Sequence, residues 1–199
     1  MKLALLATAA ILLVATPATA RTASDATTAP GPDRHTIVLR DGPGDVWTFS
    51  DSTVGYELGA QPAADVLRAR VSHGSYAVSI RMVFDDLQRL GIQWFYVQVH
   101  TPGVTSWFIL ETKDGQRQGT AFQDVEGEWV RAPGIDRHID YASDVVTLRI
   151  PRSMLGGPPW VRVRLRNELG LGGGTFFTDN PTTPDPEAVF TPRLHRVDR

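Results

Sequence analysis

The stretch WFYVQVHTPGVTSW, residues 94–107, carries Trp94, Tyr96, Gln98, His100 and Trp107. Rings interleaved with an amide and an imidazole suit sugar recognition: the C–H faces of a pyranose stack on rings, while its hydroxyls need paired donors and acceptors. A second stretch, PPWVRVRLRN at 158–167, puts Trp160, Arg162, Arg164 and Arg166 on one parity and Val161, Val163 and Leu165 on the other. Guanidinium forks match carboxylate and sulfate groups. A solvated strand face balanced by neighbouring acids is the commoner fate of such a charge run. Asp41 and Asp45 bracket Gly-Pro-Gly, a loop type whose carboxylates and carbonyls suit calcium, although Asp turns without metal are commoner. The five histidines show no zinc-ligand spacing.

Catalytic patterns are missing. There is no G-x-S-x-G elbow, H-E-x-x-H pair or Walker loop. Glu126-Gly127-Glu128 falls in a turn, not on the inward positions that paired glycosidase carboxylates need. Gly172-Gly173-Gly174 lacks the lysine or helix of a phosphate cradle. An unrecognised hydrolase is therefore the weakest of the functional readings.

The elements that must position these residues are strands. Tyr76, Val78, Ile80, Met82 and Phe84 recur with period two, as do Phe95, Val97 and Val99, and Val146, Leu148 and Ile150. Further strands are expected at 36–40, 45–50, 65–72, 105–112, 119–125, 128–132, 159–166 and 188–196, separated by Gly- and Pro-bearing turns. Many short strands at this spacing predict an all-β fold, an antiparallel two-sheet β-sandwich of jelly-roll type with one or two short helical turns at most. The helical turns are expected at Asp85–Leu90, as a short crossover, and at Pro151–Leu155. Residues 170–187 read as a long loop.

A hairpin over 94–111 that closes with Thr101 opposite Val104 sets Phe95 against Leu110, Val97 against Phe108 and Val99 against Ser106, a core face. The other face then carries Trp94, Tyr96, Gln98 and His100 opposite Glu111, Ile109, Trp107 and Thr105. It is either a ligand-binding face or a face buried under a second layer, and the usual burial of Trp and Tyr weighs toward the latter. Pairing of 145–150 with 159–166 would bring Arg149 and Arg152 beside the arginine row.

The ends and the composition bound the setting. MKLALLATAAILLVATPATA has the charged start, apolar middle and A-x-A end of a secretory signal peptide, so export with cleavage after Ala20 is expected. Residues 21–34 read as a flexible lead and 35–199 as one domain. No later segment resembles a membrane span. The absence of cysteine excludes disulfides and thiolate metal sites. A net charge of −2 argues against nucleic acid as the main partner.

Four motifs together resemble the DOMON-like β-sandwich superfamily, which includes the ninth family of carbohydrate-binding modules. They are Asp41-Gly-Pro-Gly-Asp45-Val46; Ala64-Asp65-Val66-Leu67 leading into Arg70–His73; the strand Tyr76–Phe84 with Asp85-Asp86-Leu87; and Asp144–Pro151. The resemblance spans nearly all of 37–168 and implies two packed antiparallel sheets and extracellular ligand binding. Sugars and, in some members, haem are the ligands it implies. Met82, Met154, His100 and His138 are the available axial types, but haem is disfavoured because Met82 alternates with core residues and Met154 sits in a tight turn. The leading expectation is a secreted, non-catalytic domain that binds a glycan or cell-wall component. The alternative is a structural or protein-interaction domain of the bacterial exterior with no small ligand.

Overall fold

A computed structural model describes residues 34–50, 57–113, 115–183 and 188–197. The segment expected to be a signal peptide and most of the expected lead, residues 1–33, lie outside the described residues. The strands are Thr36–Arg40 (β1), Val46–Ser50 (β2), Glu57–Gly59 (β3), Val66–His73 (β4), Ala77–Phe84 (β5), Ile92–His100 (β6), Thr105–Lys113 (β7), Thr120–Val125 (β8), Glu128–Arg131 (β9), Asp136–Asp140 (β10), Val145–Pro151 (β11), Trp160–Gly172 (β12), Thr175–Asp179 (β13) and Leu194–His195 (β14). They build a five-stranded sheet, β1-β4-β5-β11-β10, and a nine-stranded sheet, β3-β2-β13-β12-β6-β7-β8-β9, with β14 also pairing β12. All pairings are antiparallel. The fold is the expected two-sheet β-sandwich.

The inner faces explain why the sheets stack. Val71, Val78, Ile80, Met82, Phe84 and Leu148 from the small sheet meet Phe95, Val97, Phe108, Leu110, Val163 and Leu165 from the large one. Phe84 and Phe95 cross edge to face with ring centroids 5.7 Å apart. A satellite cluster of Val46, Ala63, Ala64 and Leu169 seals one end. The hydrophobic inner positions are aliphatic, Phe or Met, and the polar residues His73, Gln93, Thr112 and Asn167 are buried on the same side.

Four expectations need correction. Residues 85–90 contain no helix: Phe84 and Leu87 are buried, but Leu90, the third residue of the apparent helical stripe, is 40% exposed. Tyr76 lies before β5 and is 80% exposed, outside the core its parity suggested. The presumed loop 170–187 contains β13, because positive φ at Gly172, Gly173 and Gly174 lets β12 fold straight back as a hairpin. The final strand shrinks to two residues, since the ladder with β12 covers Leu194 and His195 alone, while the Thr191 N–H donates separately to the Val163 carbonyl. The turn at 151–155 is present, as a 3₁₀ turn over Arg152–Leu155.

Gly91 sits at φ +53°, and a Cβ there would lie 2.1 Å from the Gly170 carbonyl oxygen, where β6 enters its pairing with β12. Gly103, in the β6–β7 turn, has nothing within 4 Å of its would-be Cβ. Gly91→Ala should therefore cost about 2 kcal/mol or more in denaturant unfolding, and Gly103→Ala within about 0.5 kcal/mol of nothing. Equal midpoints for the two variants would contradict this packing.

Candidate functional site

The β6–β7 hairpin has the register expected from sequence: Phe95 faces Leu110, Val97 faces Phe108, Val99 faces Ser106, and on the other face Trp94, Tyr96, Gln98 and His100 meet Glu111, Ile109, Trp107 and Thr105. The neighbour on the far side of β6 is β12. There Arg162 lies opposite His100, Arg164 opposite Gln98, Arg166 opposite Tyr96 and Glu168 opposite Trp94. The proposed pairing of 145–150 with 159–166 does not occur, because the 3₁₀ turn carries the chain from the small sheet to the large one. Arg149 stays on the small sheet near Asp136, and Arg152 donates to the carbonyls of Ser75, Gly157 and Pro158. The aromatic face and the arginine face, separate in the sequence, are thus one surface.

Following parity across the ladders adds Trp47 and Phe49 on β2, Phe176 on β13, Phe122 on β8 and Trp129 on β9 to that surface. All five tryptophans of the chain stand on it. Phe49 stacks on Phe176 at 5.2 Å between centroids, and Phe176 leans on Trp94 at 6.3 Å. Gly170 makes this row possible, since a Cβ there would meet both rings at 3.2–3.3 Å. Trp94 donates its Nε1 proton to Glu111 Oε2 at 2.9 Å. Arg166 sits over the Tyr96 ring and pairs with Glu168 at 2.8 Å. Burial, followed by the Glu168 charge, holds the Tyr96 hydroxyl protonated well above its usual range.

Trp94, Tyr96, His100, Trp107, Trp160, Arg162 and Arg164 are half-buried, and Phe190 and Arg193, from the segment before β14, lie against the His100, Trp160, Arg162 and Arg164 end of the face. Gln98 is different. It is only 5% exposed and its Oε1 has no partner, so as placed it supports the face from within instead of presenting an amide to a ligand. Of the haem-type residues, Met82 lies in the core while His100 points to the opposite side of the large sheet. His138 is exposed on β10, and Met154 packs against the core.

A second cluster lies where connections from both sheets meet. Asp41 follows β1, Asp45 precedes β2 and Asp179 closes β13, and each offers a carboxylate oxygen within 4.8 Å of the others. Two oxygens on opposite sides of a calcium ion at about 2.4 Å stand about 4.8 Å apart, so the three fit one coordination sphere. Asp65, just before β4, adds a fourth carboxylate beside them, 2% exposed. Its Oδ2 takes the Gly44 N–H, fixing the Asp41–Asp45 loop. Asp179 takes the Val66 and Asn180 N–H groups at 2.6 and 2.7 Å. One oxygen each of Asp41, Asp45 and Asp65 is buried with no partner.

Carboxylates packed this way repel. Burial, then the charges of Asp179 and Asp45, pushes Asp41 up to about 8. Burial likewise lifts Asp179 to about 8, with Asp45 and Asp65 adding to it against the Val66 N–H. Asp65 is raised by burial, with the Gly44 N–H opposing. Such a group of acids takes up protons or a cation. The sequence pointed to Asp41 and Asp45 and missed Asp65 and Asp179, whose only signal was a carboxylate beside a strand end.

No protein-family model, curated protein or solved structure matches the chain. The fold and this geometry define a class: a two-sheet antiparallel β-sandwich with an aromatic, arginine-bearing outer face and a carboxylate cluster able to hold a hard cation.

Asp41 and Asp179 bind protons more tightly folded than unfolded. Without metal, the stability this contributes is present below about pH 4 and is lost as pH rises toward 8. Calcium needs the ionised carboxylates, so its effect runs the other way. Thermal melts should show little response to millimolar calcium near pH 5 and a rise of several degrees near pH 8, absent in Asp41→Asn. Identical melts with chelator and with calcium at both pH values would rule the cation site out.

Proposed function

We propose that the chain is an exported, non-catalytic β-sandwich that binds an extracellular glycan or cell-wall polysaccharide across the outer face of its large sheet. The observation that carries this reading is the placement of all five tryptophans on that one face. Rings recruited only to fill the core would point inward, where the chain instead uses aliphatic side chains, Phe and Met. The row Phe49–Phe176–Trp94 crosses several strands, with Glu111, Glu168 and Arg166 beside it to meet hydroxyls. The resemblance to DOMON-like and family-nine carbohydrate-binding sandwiches supports the same reading, as does the signal-like leader.

A protein partner is the second reading, favoured by Leu58 and Trp129, which are 61% and 44% exposed on the opposite edge strands of the same face. Affinity electrophoresis against a panel of soluble polysaccharides separates the two. At least one glycan should retard the wild type, and Trp107→Ala and Trp94→Ala should each weaken that binding about tenfold, or ~1.4 kcal/mol, while still melting cooperatively. A panel without a hit, or tryptophan variants that bind like the wild type, would refute the glycan reading.

A further inference from the structure

The outer face is not electrically uniform. Around Trp94 its cations are balanced: Arg166 pairs with Glu168, and Glu111 caps the indole. At the other end of β6 and β12 they are not. Arg162 and Arg164 lie over the Phe190 ring at 5.6 and 5.5 Å from its centroid, and Arg193 lies over Trp160 at 4.4 Å. His100 sits between these rings, 5.8 Å from each, with its Nδ1 at 2.9 Å from Thr105 Oγ1. Among the described residues none of these three arginines pairs with a carboxylate; the ion pairs are Arg149–Asp136 and Arg166–Glu168.

Same-face neighbours on a strand stand about 7 Å apart, so Arg162 and Arg164 repel each other. A ring beneath a guanidinium engages its face and uses none of the N–H donors at its edge. Arg162 directs its Nε to the Thr191 carbonyl at 2.9 Å, which anchors the side chain and leaves its terminal nitrogens for another acceptor. Since the whole chain is net negative, a polyanion gains nothing from its overall charge and would have to engage this corner locally.

We propose that Arg162, Arg164 and Arg193 bind the oxyanion of an acidic sugar, a uronate carboxylate or a sulfate ester, while Trp160 and His100 contact the pyranose ring that bears it. This inference rests on the glycan-binding reading of the same face and narrows it: the ligand is an acidic polysaccharide, lying with an anionic residue at the arginine corner and neutral residues toward Trp94.

The test is isothermal titration of the full protein with oligogalacturonate, a sulfated dextran, a neutral β-glucan oligosaccharide and single-stranded DNA, at low and physiological salt. An acidic glycan should bind at least tenfold more tightly than the neutral one and weaken with salt, and whichever of the first two does so identifies the oxyanion. Arg162→Gln/Arg164→Gln should lose that tenfold preference while keeping neutral binding within twofold. Arg193→Gln, outside the sheet, should lose part of it even if the double variant folds poorly. Trp94→Ala should weaken both ligands. Equal binding of neutral and acidic glycans, or a preference that survives both arginine variants, overturns the inference and leaves the glycan reading standing. DNA binding as tightly as the acidic glycan also overturns it. No glycan binding at all overturns both.

Discussion

The nine-residue ladder between β6 and β12 is the constraint on which the remaining structure depends. It joins the two strands that carry most of the large sheet's inner surface, Phe95, Val97 and Val99 against Val163 and Leu165. The same register fixes the outer surface, because a strand's two faces cannot be set independently. A slip of one residue on β12 would carry three arginines into an apolar core and expel Val161, Val163 and Leu165. The hydrophobic demand for one register therefore also aligns Arg162 with His100 and Arg166 with Tyr96.

The two sheets are held by unlike means at different places. Along their middle, apolar burial suffices. At the end near Val46 and Leu169 the core thins to a small cluster, and connections of both sheets bring four carboxylates together there. Left alone, those charges push the sheets apart; protonated or bridged by a cation, they tie β1 and β4 to β2 and β13. Without disulfides, the chain has few other ways to lock that end.

Much of this was legible in the sequence where information is local. Period-two alternation located the strands from β4 to β7, and a four-residue closure at Thr101–Val104 fixed the hairpin register residue by residue. What failed was non-local or masked by composition. The three-residue spacing of Phe84, Leu87 and Leu90 mimicked a helix, whereas the backbone there crosses between sheets. Strands close in sequence usually pair, which suggested β11 beside β12; the 3₁₀ turn at Arg152 sends them to different sheets. Phe176 and Phe177 sit between a glycine run and a proline-rich stretch, so β13, and with it Asp179 and a third of the ring row, looked like loop. No spacing rule links Asp41 to a residue 138 positions later; only the ladder from β2 through β13 does.

The large sheet is open, and its outermost strands β3 and β9 are three and four residues long. Every residue of β9 is exposed, and a charged residue stands at each of its ends, Glu128 and Arg131. A free edge this short offers another chain few backbone groups to pair with, and its end charges oppose an apolar partner strand. Two copies of the chain therefore gain little from joining sheets end to end. A face that carries so many rings is thus framed by margins that disfavour edge-to-edge pairing.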